Sequence, residues 1–136
     1  MSDLSKRPTS LAEVARRVLA GQQPFDPALR EFLDEFYAHP PLRPEALQEE
    51  PQLIDDIKDA YLAAVAEHLA MEYGPPMPAW PDSHGRPLRR AFFAGDLESL
   101  KAILTVESPA AFRRRLLFVG KDALDRPRRP AASQPA

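Results

Sequence analysis

Residues 51–73, PQLIDDIKDAYLAAVAEHLAMEY, form the longest stretch of the chain with the spacing of an amphipathic helix. One side of that helix carries five apolar residues three or four positions apart: Ile54, Ile57, Tyr61, Val65 and Leu69. Gly74 follows directly and is typical of the position just beyond a helix end. At about 1.5 Å per residue the helix would span about 34 Å. We therefore expect residues 51–73 to be the central helix of the fold.

Other helix starts are predicted from residues whose side chains can cap a first turn. They occur at four places: Ser10-x-x-Glu13, Asp26-Pro27, Asp96 and Ser108-Pro109. The first of these helices should end at Gly21, and the last should continue through Leu116. Shorter helical segments are expected at 44–50 and 88–94. The apolar run 117–119 fits an extended segment, and 121–125 fits a last turn.

These elements predict an all-α fold, a single irregular bundle of five to seven helices. Proline and glycine account for half of residues 74–87, which indicates a Pro-rich loop. Residues 1–8 are polar and are expected to be disordered. Residues 126–136 read as a disordered, basic and Pro-rich tail. The single helical domain is therefore assigned to residues 9–125.

The composition excludes several classes of protein. The chain has 136 residues and no cysteine, which excludes thiol catalysis, cysteine-ligated zinc and iron–sulfur clusters. The longest apolar run, Ala60–Ala66, is far shorter than the roughly 20 residues that span a bilayer. The N-terminus has no apolar segment of signal-peptide length. We therefore expect a cytoplasmic protein that does not act at a membrane.

Residues suited to catalysis or metal binding are few. The three histidines are His39, His68 and His84. His68 and Glu72 are spaced to share one ion, but two ligands on one helix do not make a metal site. Ser83 lies beside His84 without the Gly-x-Ser-x-Gly elbow of a serine hydrolase. The five glycines are isolated, so no phosphate-binding loop is present. The sequence predicts no enzyme activity, no cofactor and no metal.

Charge is distributed unevenly along the chain. The net charge is −2, but residues 26–72 carry −9 and residues 109–136 carry +5. The basic end contains Arg113-Arg114-Arg115, whose positions cover about 200° of a helix, so the three cannot all face one partner. Two interpretations are open. The arginines contact phosphate or an acidic protein face, or the basic end lies against the protein's own acidic helices.

Aromatic residues supply further candidates for partner binding. Trp80 lies between Pro78 and Pro81, where it either pins the loop onto the core or anchors a partner. Phe92 and Phe93 cannot face the same direction on a helix, so one can be buried while the other is exposed. The candidate partner-binding residues are Trp80, Phe93, Arg113, Arg114, Arg115 and Phe118.

Several short motifs occur together between Pro78 and Leu124. They are Pro78-Ala79-Trp80, Phe92-Phe93, Leu97-x-x-Leu100, residues 107–115 (ESPAAFRRR) and Leu117-Phe118-Val119-x-x-Asp122-Ala123-Leu124. As a set they resemble an uncharacterised bacterial all-helical family, which forms the C-terminal domain of repressor-type helix-turn-helix regulators and also stands alone. Genes of this family often lie beside nucleotidyltransferase-like toxin genes, so the resemblance implies an antitoxin.

The leading prediction is therefore a non-enzymatic interaction protein, an antitoxin-like partner of a toxin encoded nearby in a bacterial toxin–antitoxin module. In this interpretation charge steers association, and aromatic and leucine side chains stabilise the complex. The alternative is a nucleic-acid-binding or regulatory accessory protein that acts through the Arg-rich C-terminal segment. Salt-dependent binding to DNA or RNA would characterise that alternative.

Overall fold

The computed structural model describes residues 6–83, 92–93, 108–121 and 123–126. In chain order its elements are α1 (Leu11–Leu19), α2 (Phe25–Ala38), α3 (Arg43–Ala46), α4 (Asp56–Tyr73), β1 (Phe92–Phe93), α5 (Ala110–Arg113) and β2 (Leu117–Phe118). Pro40–Leu42 and Trp80–Asp82 form single 3-10 turns. The predicted all-α fold is confirmed, with five α-helices among the described residues. None of these helices combines the length and apolar character needed to cross a membrane.

The central helix, α4, begins five residues later than predicted. Asp55 is its N-cap, and the Asp55 carboxylate accepts a hydrogen bond of 2.9 Å from the backbone N–H of Lys58. The buried carboxylate of Asp59 accepts another, of 2.6 Å, from the N–H of Ile54. These two carboxylates satisfy donors of the first turn and of the chain ahead of it, so the helix starts at Asp56. Ile57, predicted on the buried side, is 40% exposed.

The middle of α4 is enclosed on more than one side. Its buried apolar residues are Ala60, Leu62, Ala63, Ala64, Val65, Ala66, Leu69 and Ala70. Small alanine side chains let neighbouring elements approach the helix closely, and both α5 and the Trp80–Asp82 turn pack against it. The ring of Phe112 in α5 meets that of Tyr61 edge-on, with centroids 5.0 Å apart. Gly74 ends the helix as predicted, in the left-handed conformation with φ +84°.

Helices α1 and α2 pack against each other and complete the core with α4. The predicted cap of α1 is confirmed, because Ser10 Oγ accepts a hydrogen bond of 3.1 Å from Glu13 N–H. The predicted cap of α2 is wrong. That helix begins at Phe25 with Pro24 as its N-cap, so Asp26 lies inside the first turn. A proline is tolerated in a first turn because its missing N–H would have no partner there.

Ser108 was predicted to cap a helix and instead bridges to a distant part of the chain. Its buried hydroxyl donates to the carbonyl of Val119 at 2.8 Å and accepts from the N–H of Val119 at 2.7 Å. The N-cap of α5 is Pro109. The helix predicted through Leu116 ends at Arg113, and Leu116 itself adopts φ +62°, in the left-handed region. The chain therefore turns sharply after three successive arginines.

An extended pairing replaces part of the helix predicted at 88–94. Phe92 and Phe93 form β1 and pair in parallel with Leu117 and Phe118 of β2. The extended conformation predicted for Leu117 and Phe118 is thus confirmed, whereas a helix at 92–93 is wrong. The partner strand is distant in sequence, so no local pattern indicated the pairing. The remaining residues of that segment, and the helix predicted after Asp96, lie outside the described residues.

Both ends of the described chain are fixed to α2. Within the stretch 1–8, which was predicted to be disordered, Pro8 is buried and Arg7 lies 3.5 Å from Glu35. Arg126, the first residue of the predicted tail, donates from Nε to Asp34 Oδ1 at 2.9 Å. Arg7 and Arg126 therefore both contact α2. Residues 1–5 and 127–136 lie outside the described residues.

Candidate functional site

The predicted arginine run lies at the C-terminal end of α5, where its three side chains have different environments. Arg113 is exposed, the Arg114 side chain is 52% exposed, and Arg115 is buried. Arg114, the C-cap of α5, keeps a helical backbone conformation. Successive side chains therefore still point in different directions, and Arg115 faces α4 while Arg113 and Arg114 face outward. Within three successive residues, Arg115 therefore has a structural role, whereas Arg113 and Arg114 lie at the surface.

Arg115 joins three elements from the inside. Its Nη1 donates to Glu67 Oε1 on α4 and to the carbonyl of Ala111 at 3.0 Å. Its Nη2 donates to Asp82 Oδ1 at 2.9 Å and to the carbonyl of Pro81 at 3.4 Å. The guanidinium fork suits such multiple acceptors, because it presents donors in a fixed plane. Arg115 therefore fastens α5 to α4 and to the Trp80–Asp82 turn.

Arg114 binds the same two carboxylates from the outside. Its Nη2 lies 2.9 Å from Glu67 Oε1 and 3.1 Å from Asp82 Oδ1. Each of these oxygens thus accepts from both Arg114 and Arg115. Glu67 is largely covered, with 15% of its side chain exposed, whereas the Asp82 side chain is 76% exposed. The cluster of Arg114, Arg115, Glu67 and Asp82 is covered at Glu67 and open to solvent at Asp82.

The charges of the cluster stabilise one another. Burial by itself would raise the pKa of Glu67, but the hydrogen bonds from Arg114 and Arg115 outweigh it and hold that pKa below its ordinary value. The hydrogen bond to Glu67 raises the pKa of Arg114 in turn. Glu67 is therefore an anion at neutral pH. Together with Asp82 it neutralises two of the three positive charges of Arg113–Arg115.

Arg113 is the arginine of the run that remains available to contact a partner. It is exposed and forms no ion pair with any residue in the described part of the chain. Arg114 lies next to it and is half exposed. The surface formed by Arg113 and Arg114, with Asp82 at its edge, is called the arginine edge below. It is held in place by the buried Arg115 and can present guanidinium groups to an anionic partner.

Trp80 is not part of that surface. Its side chain is 5% exposed, and its indole N–H donates to the carbonyl of Leu47 at 2.8 Å. A second link joins the same regions, because the Gln48 amide donates to the carbonyl of Pro76 at 2.7 Å. Of the two roles weighed for Trp80, the structure shows the loop anchor. Its assignment to partner binding is corrected, since the indole is buried and already hydrogen-bonded.

The other aromatic candidates come together through the backbone. Phe93 in β1 pairs with Phe118 in β2. Phe118 is half-buried, while the side chain of Phe93 lies outside the described residues. Arg115, also predicted to bind a partner, is buried and is corrected to a structural residue. Of the five predicted site residues whose side chains are described, Arg113 and Arg114 are exposed.

Sequence reasoning missed Glu67 and Asp82, which complete the cluster. Both carboxylates are far from the arginines in the chain, with separations of 47 for Arg114–Glu67 and 33 for Arg115–Asp82. For Glu67 the acidic character of residues 26–72 was the available signal, and it indicated an acidic surface without identifying which carboxylate meets an arginine. Asp82 lies outside that stretch and had no such signal. The intramolecular interpretation of the basic end thus holds for Arg114 and Arg115.

The described residues contain no group of three or more His, Cys, Asp or Glu side chains placed to hold a metal ion. His68 instead lies edge-on to Phe112, with ring centroids 6.5 Å apart. Comparisons with protein-family models, with curated proteins and with solved structures found no match for this chain. The chemistry available at the arginine edge is thus ionic recognition through exposed guanidinium groups.

Proposed function

We propose that this chain is a non-enzymatic interaction protein, an antitoxin-like partner of a toxin encoded nearby. The observation that carries the proposal is the arginine edge, in which Arg113 and Arg114 are exposed on a turn fastened by the buried Arg115. Arginine is enriched at protein interfaces and among the residues that contribute most to binding. The sequence resemblance to stand-alone antitoxins supports the same function.

The charges around the arginine edge favour a protein partner over a nucleic acid. Glu67 and Asp82 neutralise two of the three arginines, which leaves a formal charge of +1 for the cluster. Binding to DNA requires several cations, because the duplex carries one negative charge per about 1.7 Å. Of the other described cations of the basic end, Arg126 is paired with Asp34, and Lys121 is exposed. An isolated acidic group on a protein surface matches this small net charge better than a phosphate backbone does.

The proposal is tested by co-expressing this protein with the product of the adjacent toxin-like gene. We expect the two proteins to co-purify at 150 mM salt, and we expect cells to tolerate the partner only when this protein is present. A partner gene that is harmless by itself, or a partner that never co-purifies, would contradict the proposal. Binding of a DNA duplex more tightly than the partner would favour the nucleic-acid alternative.

A matched pair of variants tests whether the arginine edge is the contact. Arg113→Glu reverses an exposed charge at that edge, and Arg30→Glu makes the same change at an exposed position of α2. We expect Arg113→Glu to weaken the complex at least about tenfold, which corresponds to about 1.4 kcal/mol. Arg30→Glu should leave affinity unchanged. Equal affinities for the two variants would place the contact elsewhere on the protein.

A further inference from the structure

We infer that Arg114 is an exchangeable guanidinium that leaves its internal carboxylates and, with Arg113, takes carboxylates of an acidic protein segment. Arg115 stays in place and keeps the turn folded during this exchange. The inference rests on the proposed function in one respect, the identity of the protein that supplies the acidic segment. It goes beyond that function by naming the chemistry recognised and the residue that moves.

The first support is that the two arginines share the same acceptors. Glu67 Oε1 accepts from Nη2 of Arg114 at 2.9 Å and also from Nη1 of Arg115. Asp82 Oδ1 accepts from Nη2 of Arg114 at 3.1 Å and from Nη2 of Arg115 at 2.9 Å. When Arg114 leaves, neither carboxylate loses its last cationic partner. The largely covered carboxylate of Glu67 is therefore not left without a counter-charge.

The second support is the difference in exposure between the two arginines. Half of the Arg114 side chain is in water, whereas 3% of the Arg115 side chain is exposed. Exposed ion pairs contribute little to stability because water and salt screen them. Breaking a buried pair is costly, because it leaves a charge in a poorly solvated site. Arg114 can therefore exchange partners while Arg115 remains bound.

The third support concerns the kind of anion that fits. Asp82 lies at the same edge, and its side chain is 76% exposed. A peptide can place one or two carboxylates on Arg113 and Arg114 and turn its other side chains away from Asp82. A phosphodiester chain, whose charges are fixed and closely spaced, brings further negative charge toward Asp82. The arginine edge therefore fits a carboxylate-bearing protein segment.

The binding test uses the full-length protein and an eight-residue peptide with one Asp and one Glu among Gly and Ser residues, titrated at 50 mM salt. NMR signals of the arginine Nε–Hε groups report each arginine separately. We expect the larger shifts at Arg113 and Arg114, a smaller shift at Arg115 because it shares the acceptors that Arg114 leaves, and none at Arg30. The matched peptide with Asn and Gln in place of Asp and Glu should produce no shift. Shifts that are absent from Arg114, or equal at Arg30, would overturn the inference.

Variants and a second probe complete the test. Arg114→Ala should weaken binding of the acidic peptide at least about fivefold, whereas Arg30→Ala should leave it unchanged. A twelve-nucleotide single-stranded DNA should bind more weakly than the peptide, and tighter binding of the DNA would overturn the choice of a carboxylate ligand. Urea unfolding midpoints should be alike for Arg114→Ala and Arg113→Ala. A midpoint for Arg114→Ala as low as that of Arg115→Ala would show that Arg114 is not exchangeable.

The outcomes separate this inference from the proposed function. If the peptide binds at Arg114 but the adjacent gene product does not co-purify, the carboxylate site stands and the antitoxin-like function fails. If the gene product co-purifies equally well with wild type and with Arg114→Ala, and the peptide does not shift Arg114, the interaction function stands and the inference fails.

Discussion

The buried Arg115 and the largely covered Glu67 form an ion pair that joins α5 to the central helix α4 across a separation of 48 residues in the chain. The neighbouring Arg114 binds the same carboxylate but is half exposed. One acidic residue of α4 thus binds two of the three arginines of the run. Because Arg113 lies two residues before Arg115, its position depends on the packing of α5 against α4.

Replacing Arg115 should destabilise the fold far more than replacing its neighbours. We expect Arg115→Met to lower the free energy of unfolding by about 3 kcal/mol, because it removes the buried partner of Glu67. Arg113→Met changes an exposed side chain and should alter stability by no more than about 0.5 kcal/mol. Urea denaturation followed by circular dichroism measures both. Equal unfolding free energies for the two variants would contradict the anchoring role of Arg115.

The lowered pKa of Glu67 predicts a particular dependence of stability on pH. A carboxyl group whose pKa is lowered by folding stabilises the native state above its unfolded pKa, about 4.3 for Glu, and loses that contribution as the pH falls through the native pKa. The wild type should therefore lose stability on acidification below about pH 5. Glu67→Gln should be less stable at pH 7 and should lose less on acidification.

The control for Glu67 is Glu72→Gln, which changes an exposed residue of the same helix. Its unfolding free energy should follow that of the wild type at every pH. The measurement is urea denaturation at several values between pH 7 and pH 3. Parallel pH profiles for Glu67→Gln and the wild type would show that Glu67 contributes nothing to acid sensitivity.

Trp80 should behave as a buried anchor of the Pro-rich loop. Trp80→Phe removes the hydrogen bond to the carbonyl of Leu47 and should cost about 1–2 kcal/mol of stability. Trp80 is the only tryptophan of the chain, so its fluorescence reports this site alone. We expect acrylamide to quench the native protein much less than the protein in 8 M urea. Equal quenching would place the indole in solvent and contradict the anchor role.

The hydroxyl of Ser108 should contribute to stability through the backbone of Val119. Ser108→Ala leaves the N–H and carbonyl groups of Val119 without their buried partner and should cost about 2 kcal/mol. The control is Ser83→Ala, whose hydroxyl donates at the surface to Glu50, and whose loss should cost less than about 0.5 kcal/mol. Thermal unfolding distinguishes the two. Similar melting temperatures would argue against the Ser108 bridge.

Glycine should be required at position 74, where α4 ends. Its φ of +84° is unfavourable for residues with a Cβ atom, so Gly74→Ala should destabilise the protein by about 1 kcal/mol. Asparagine enters the left-handed region more readily, and Gly74→Asn should therefore cost less. No atom lies within 4 Å of the position of an added Cβ, so the effect isolates backbone conformation from steric overlap. Identical stabilities for wild type and Gly74→Ala would contradict this assignment.

The sequence predicted the end of a helix correctly where the residue responsible acts on backbone groups only a few positions away. The Ser10 cap binds a backbone N–H three residues away, and Gly74 satisfies a requirement of its own backbone. The same kind of signal failed at Ser108, whose hydroxyl binds Val119 eleven residues away. A serine that caps a helix and a serine that bridges two distant segments have the same side chain, so the sequence does not distinguish them.

The all-helical class, the central helix that ends at Gly74 and the basic character of the C-terminal end can all be predicted from the order of the residues. These properties follow from residue spacing, backbone preference and composition, which need no knowledge of distant residues. The folded chain was needed to show that Arg115 is buried against Glu67, that Arg114 shares its acceptors and that Arg113 is exposed. Three identical side chains acquire different roles because burial and ion pairing depend on which distant residues lie against each one.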